Sequence, residues 1–295
     1  MLYDKITLTV VLFLTVSGCF QIPLQHHIVG SALPPQRAFD SEKVCAGPMP
    51  FRDSVSPLNG DGFRILVWNL YKGFGGGWQA DLQALSAGSD LILLQEAYLQ
   101  KDFLGFLDNN NLQWQFAAAY SYQKVQTGVM TASESLPRSS CSFRSWEPLI
   151  RLPKTVLITY HPLSGHDQDL LVANIHGINY SLGLQAFREQ INTLISMVGN
   201  HQGPLIIAGD FNAWSGKRRL VIDAMVGSLG LATVRFQEDH RVTVFGHTLD
   251  EVYYKGLEAQ GPLSIQVTSS DHNPLLVTFK LVNREAKEKM TELRF

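Results

Sequence analysis

A layered α/β domain is predicted over residues 63–281, on three observations. Short, almost purely apolar runs recur along the chain, amphipathic helical stretches lie between them, and polar residues capable of chemistry stand at the ends of the runs. The runs are Ile65–Trp68, Leu91–Leu94, Val156–Ile158, Leu170–Ala173, Leu205–Ala208 and Leu275–Val277. Their shortness and lack of alternation suit strands covered on both faces. The clearest helix is Gly183–Val198, where Leu184, Phe187, Ile191, Leu194, Ile195 and Val198 share one face at spacings of three and four.

In chain order, the first segment is residues 1–24. No side chain from Ile6 to Leu24 is charged, and Ile6–Val16 is apolar except for Thr7, Thr9 and Thr15. That run has the length of a leader's apolar region, and the whole uncharged stretch is just long enough to cross a bilayer. Val16–Cys19 resembles the lipobox of bacterial lipoproteins, with Cys19 as the lipidated residue. Residues 1–24 are therefore expected to be a signal peptide, a lipoprotein leader or a membrane anchor, which puts the rest of the chain at the cell envelope, anchored or exported. A buried helix in a cytoplasmic protein is the alternative. Residues 25–62 hold Pro34-Pro35, Pro48, Pro50, Pro57 and Asn59-Gly60-Asp61-Gly62, and read as an irregular arm or linker. Residues 282–295 read as a charged, solvated tail.

Composition narrows the function. The 295 residues are 45% hydrophobic and 17% charged, which excludes disorder over most of the length. Lys+Arg number 24 against 26 Asp+Glu, a net charge of −2, so binding by wholesale phosphate neutralisation is excluded while an enzyme touching a few phosphates is not. The cysteines, Cys19, Cys45 and Cys141, lie far apart and form neither a zinc ribbon nor a CxxC redox site. In an exported chain Cys45 and Cys141 are expected to pair; in a cytoplasmic one they are separate small hydrophobes. Gly73-Phe74-Gly75-Gly76-Gly77 lacks the third glycine of a dinucleotide turn, since Trp78 stands there, and reads as a loop tip. The chain contains no GxxxxGK[ST], HExxH or GxSxG pattern.

What remains is an acidic and amide set at the run ends. Glu96, Asp210 and Asp271, with the amide oxygens of Asn69 and Asn212, supply the hard oxygen donors that a divalent ion such as Mg²⁺ takes beside a phosphate. His176 and His272 are then free for phosphate binding and proton transfer. Taken singly, each has an ordinary structural explanation: Glu96 as a strand-end ion pair, His176 as a hydrogen-bonded core histidine. No cluster of positive charge is expected at these motifs to replace an ion.

Trp68-Asn69, Leu93-Leu94-Gln95-Glu96, Asn174-Ile175-His176, Gly209-Asp210-Phe211-Asn212, Leu249-Asp250-Glu251-Val252 and Ser270-Asp271-His272-Asn273-Pro274 occur in the order found in the endonuclease/exonuclease/phosphatase superfamily. That superfamily includes deoxyribonuclease I, abasic-site endonucleases, inositol-polyphosphate phosphatases and bacterial sphingomyelinases. A given tetrapeptide such as GDFN arises by chance in roughly one chain in 500 of this length, and five further ordered matches accompany it. The chain resembles most the bacterial YafD-type subfamily, a likeness that brings no substrate with it.

The resemblance implies a four-layered α/β/β/α sandwich of deoxyribonuclease I type, and a phosphodiesterase using Mg²⁺ or Mn²⁺. It implies Glu96 as principal metal carboxylate with Asn69 beside it and Asp271 completing the acidic set. Asp210 and Asn212 orient water and a phosphoryl oxygen. His272 is base or phosphate contact, oriented by Asp250, and His176 faces the phosphate or leaving group. Glu147 is the available carboxylate for orienting His176, with a structural role as the alternative. The substrate is expected to be a phosphodiester of nucleic acid or phospholipid, the protein a monomer meeting the membrane through its N-terminal segment. The alternatives are a phosphomonoesterase on a small substrate and a catalytically silent envelope-binding module.

Overall fold

The computed structural model describes residues 20–24, 26–31, 43–46 and 55–282. Cys19, most of the expected leader and nearly all of the expected tail lie outside the described residues. The first sheet is built from β1 (Phe20–Gln21), β2 (Ile28–Gly30), β4 (Phe63–Asn69), β5 (Leu91–Tyr98), β6 (Gln113–Tyr122), β7 (Val125–Ser133), β16 (Leu257–Ser264) and β17 (Leu275–Leu281). Its order is β1-β6-β7-β5-β4-β17-β16, with β2 also on β6. The second takes β3 (Lys43–Ala46), β8 (Ser139–Trp146), β9 (Pro153–His161), β10 (Leu170–His176), β11 (Leu205–Asp210), β12 (Ala232–Thr233) and β15 (Asp250–Lys255), in the order β12-β15-β11-β10-β9-β8-β3. A small hairpin joins β13 (Thr243–Val244) to β14 (His247–Thr248).

The apolar runs are buried on both faces for a visible reason. In β4, Phe63, Ile65 and Val67 pack between the sheets against Leu170, Val172, Ile206 and Ala208, while Leu66 and Trp68 face outward. Helices α1 (Trp78–Ser86) and α2 (Lys101–Asn109) cover that outer face through Trp78, Leu82, Phe103 and Leu107. On the other side α3 (Gln185–Val198) and α4 (Gly216–Leu229) cover Leu171, Ala173, Ile175 and Ile207. The result is the α/β/β/α order of layers. The expected helix is α3, and it buries Phe187, Ile191, Leu194 and Val198.

Each sheet contains one parallel pair among the described residues, β4 with β5 and β10 with β11, with α1 and α3 in the connections. Parallel neighbours end at the same rim, so the polar residues ending these four strands gather there. Two parts of the sequence reading are corrected. The arm over 25–62 is not wholly irregular: Ile28–Gly30 pairs with Ala117–Gln115, and Lys43–Ala46 pairs with Phe143–Ser140. The stretch around Arg138–Trp146, which has no strong periodicity in sequence and is absent from the apolar runs, is mostly β8, whose inward positions Ser140 and Ser142 are polar although buried.

Candidate active site

Backbone geometry aims the carboxylates. Register slips between Leu94 and Ala97 where β5 meets β7, and Glu96 takes a left-handed φ of 51° in that bulge. A bulge re-aims one side chain, and here it turns Glu96 to the rim. Beneath it, Gln95 Nε2 donates to Asn174 Oδ1 of the other sheet at 2.6 Å, and Asn174 Nδ2 donates to Met130 O at 2.7 Å. These buried amides tie the sheets together directly under the site. Gly209, with φ of 137°, lies so close to Ile175 O that a Cβ would stand 2.1 Å away, so only glycine brings Asp210 level with His176.

Asp210 is the hub. Its Oδ2 accepts from Asn69 Nδ2 at 3.1 Å and Asn212 Nδ2 at 3.0 Å, while Oδ1 accepts from the Asn212 amide at 2.9 Å. His176 Nε2 lies 3.5 Å and His272 Nε2 3.9 Å from the same Oδ2. His272 Nδ1 donates to Asp250 Oδ2 at 2.7 Å, and Trp68 Nε1 donates to His272 O at 3.0 Å. Glu96 Oε1 lies 3.8 Å from His176 Nε2. Asn69, Glu96, His176, Asp210, Asn212, Asp250 and His272 are thus brought together from both sheets.

Three expectations meet a different geometry. Asp271 is exposed at the rim, with Ser270 Oγ 3.5 Å from its carboxylate, and stands outside the cluster. The Asn69 amide is occupied at both ends, since its Oδ1 accepts from the Tyr71 amide at 3.1 Å, so it arrives as a donor that positions Asp210. Glu147 does not touch His176: its Oε1 accepts from the amides of Asn179 and Tyr180 at 2.6 and 3.0 Å, holding the loop that follows His176.

Two cations were not foreseen. Lys72 Nζ pairs with Glu96 Oε2, and Lys154 Nζ donates to His176 Nε2 at 2.6 Å. Positive charge therefore does stand at the motifs, contrary to the sequence reading. Nothing in the local sequence signals this, because Lys154 reaches His176 only through the pairing of neighbouring β9 and β10. In sequence, Lys217-Arg218-Arg219 reads equally as a contact for an anionic substrate and as a solvated helix start, and the structure turns Arg218 and Arg219 elsewhere. Arg218 is buried between Phe187 and Trp214, and Arg219 pairs with Glu251, so neither is offered to a substrate.

The electrostatics separate the two histidines. Burial, then Lys154 and Lys72, holds His176 well below its usual pKa, so its imidazole is neutral and Nε2 accepts. Burial alone would lower His272 too, but Asp250 and Asp210 raise it to about 10, and it carries a charge. Burial pushes the Glu96 carboxyl up, and Lys154 and Lys72 outweigh that and hold it below its usual value. Asp210 is raised, chiefly by burial. Tyr120 faces Glu96 and Glu147, and burial with these carboxylates keeps its phenol protonated.

Among the described residues, Asp210, Asp250 and His272 offer ligand atoms within 4.8 Å of one another, and Asp250 Oδ1 is buried without a hydrogen-bond partner. The carboxylates of Asp210 and Asp250 are hard oxygen donors of the kind a divalent ion takes, with Glu96 across His176 from Asp210, while the charged His272 is no ligand in this protonation state. Residues 66–272 match the Endonuclease/Exonuclease/phosphatase family. The chain belongs to this family. Within it, a UPF0294 protein of Vibrio vulnificus is 41% identical over 219 residues, covering 74% of this chain and 77% of the relative. A UPF0294 protein of Erwinia tasmaniensis is 36% identical over 246 residues, covering 83% and 91%. Among solved structures, the human nocturnin catalytic domain with bound sulfate aligns with a TM-score of 0.58 at 18% identity, covering 79% of this chain and all of that one. An endonuclease/exonuclease/phosphatase from Beutenbergia cavernae gives 0.57 at 15% identity, covering 75% and 72%. These structural likenesses carry the fold: the deoxyribonuclease I-like sandwich of the endonuclease/exonuclease/phosphatase family. Members of this family are phosphoester hydrolases, typically dependent on a divalent metal.

Proposed function

We propose that the protein is a Mg²⁺- or Mn²⁺-dependent phosphodiesterase that cleaves by in-line attack of water, with Asp210 at its centre. The observation that carries this reading is the convergence of Asn69, Asn212, His176 and His272 on one carboxylate oxygen, Asp210 Oδ2. A carboxylate so surrounded is fixed in direction, which is what orienting a nucleophile requires.

A divalent ion, held by Glu96 with a carboxylate oxygen of Asp210 or Asp250, supplies charge neutralisation at the phosphoryl oxygens when bound. Asp210 orients the attacking water and accepts its proton, a role suited to its raised pKa. Asn212 fixes Asp210 from two sides, through its backbone amide and its side-chain amide. The His272 imidazolium, steered by Asp250, holds a phosphoryl oxygen through Nε2 and stabilises the charge that builds there. The neutral His176 accepts from Lys154 through Nε2 and so positions that ammonium, whose positive charge stabilises the leaving oxygen.

The test is hydrolysis of bis-p-nitrophenyl phosphate, DNA, RNA, a phospholipid and a phosphate monoester with Mg²⁺ or Mn²⁺. Asp210→Asn is expected to lower kcat by about 10²–10⁴-fold. Full activity in excess chelator removes the metal from the reading, and turnover of the monoester alone replaces diesterase with phosphatase.

A further inference from the structure

Among the described residues, most of the exposed large apolar side chains lie on loops at the rim that holds the site, Leu220 on α4 and Leu263 on β16 being exceptions. Phe74 follows β4, Trp146, Leu149 and Ile150 lie at or beyond the end of β8, Leu182 follows β10, and Phe245 tips the β13–β14 hairpin just before Asp250. Their exposures run from 40% for Trp146 to 83% for Phe245. The opposite end of the sandwich differs. Among the described residues, none of the exposed large apolar side chains lies on the loops 87–90, 134–138, 162–169 or 199–204 there. Apolar side chains gathered on one end and aimed at solvent mark an interaction surface, and spread over separate loop tips they do not form a groove for one peptide.

The chain's own start points to what covers this end. Phe20 pairs with Tyr122 at the tip of the β6–β7 hairpin, ring centroids 5.2 Å apart, and Tyr122 lies 6.0 Å from Phe74. In the sequence, the apolar run Ile6–Val16 ends four residues before Phe20. A segment whose composition suits a bilayer thus directly precedes, in sequence, the strand that pairs at the exposed apolar end. Lys124 and Arg151, both exposed, stand beside Tyr122 and Ile150, where cations meet lipid phosphates.

We propose that this rim is a membrane-docking surface, its loop tips seated in the headgroup and upper acyl region of a lipid bilayer with the site facing that bilayer. Aromatic and aliphatic tips flanked by cations are the composition of such an interface. A nucleic-acid groove needs cations along the path of the strand instead. Docked this way, the site meets headgroup phosphodiesters, a consequence that rests on the hydrolase reading above.

The full chain, reconstituted into phosphatidylcholine vesicles with and without phosphatidylglycerol and carrying brominated acyl chains, tests this by tryptophan quenching. Trp68 and Trp78 are buried and Trp114 and Trp214 half-buried, so the difference between wild type and Trp146→Phe reads the rim residue Trp146. Quenching in the wild type is expected to fall in Trp146→Phe. It is also expected to fall in Leu149→Glu/Ile150→Glu and in Leu182→Glu while the protein still floats with the vesicles. Equal quenching in wild type and Trp146→Phe, or none in vesicle-bound protein, overturns the proposal. So does shielding of Trp146 from acrylamide by an oligonucleotide rather than by lipid. Rim quenching without hydrolysis of any diester supports the docking surface and removes the hydrolase reading; hydrolysis with an unquenched Trp146 does the reverse.

Discussion

At the scale of single residues, the site divides its carboxylates by environment. Glu96 sits in a strained bulge under two lysines, and its exchangeable partner is a cation: Lys72 in this structure, a divalent ion in the proposed reaction. Asp210 is buried and fully engaged, so its direction is its function. Glu96→Ala is therefore expected to weaken metal activation and to recover in part at high Mg²⁺, because other oxygens remain to hold an ion. Asp210→Ala is expected not to recover, since added ion does not restore an oriented acceptor. Superimposable metal titrations of the two variants would sink this division of labour. The sequence pointed to residues that the fold brings together, because most of them end apolar runs; it did not show Lys72 and Lys154 beside them, because a lysine's partner is set by which strands become neighbours.

At the scale of elements, the loops after β10 and β11 are held together by one buried side chain. Arg218 on the first turn of α4 donates through Nη1 to Ile178 O and Asn212 O, and through Nη2 to Asn179 O and Ser181 Oγ, with Glu147 holding the same loop from its other side. The run Lys217-Arg218-Arg219 read equally well as a substrate contact or a solvated helix start, and only the packing of α4 on the sheet makes its middle residue interior. Arg218→Met is expected to cost about 3 kcal/mol, since four carbonyl and hydroxyl acceptors lose a charged donor. Urea unfolding measures it, and hydrogen exchange at the amides of 178–181 should rise; unchanged exchange would remove the loop-holding role. The strands missed from the sequence share one cause: β6 to β8 bury Gln115, Thr131, Ser140 and Ser142, so their inward faces do not read as apolar. Cys141 of β8 is disulfide-bonded, and the residue opposite it in register is Cys45. Reduction is expected to cost about 4–5 kcal/mol by opening a loop of about 100 residues. Two thiols alkylated without reductant would reject the bridge.

At the scale of the whole molecule, the two sheets are joined under the site by polar contacts and around β4, β10 and β11 by an apolar core, and buried histidines make the fold sensitive to acid. His161, 2% exposed at the end of β9 remote from the site, is held by burial at a pKa of about 3. His26 is held at about 3 as well, by burial and then by Arg144 and His27. Unfolded, each titrates near 6.5. Between pH 6.5 and 3 the unfolded chain binds protons that the folded one refuses, so stability is fully present above that window and is lost as pH falls through it. By pH 5.5 the loss is about 1.4 kcal/mol for each such histidine. Urea midpoints taken at pH 7.5 and 5.5 should therefore fall together with pH, and His161→Gln, which keeps a partner for Thr159 Oγ1, should flatten the slope. A midpoint that holds or rises on acidification would show that these imidazoles are reached by solvent protons in the folded state. An equal slope in the variant would move the effect away from His161, onto His26 or onto the histidines of the site itself.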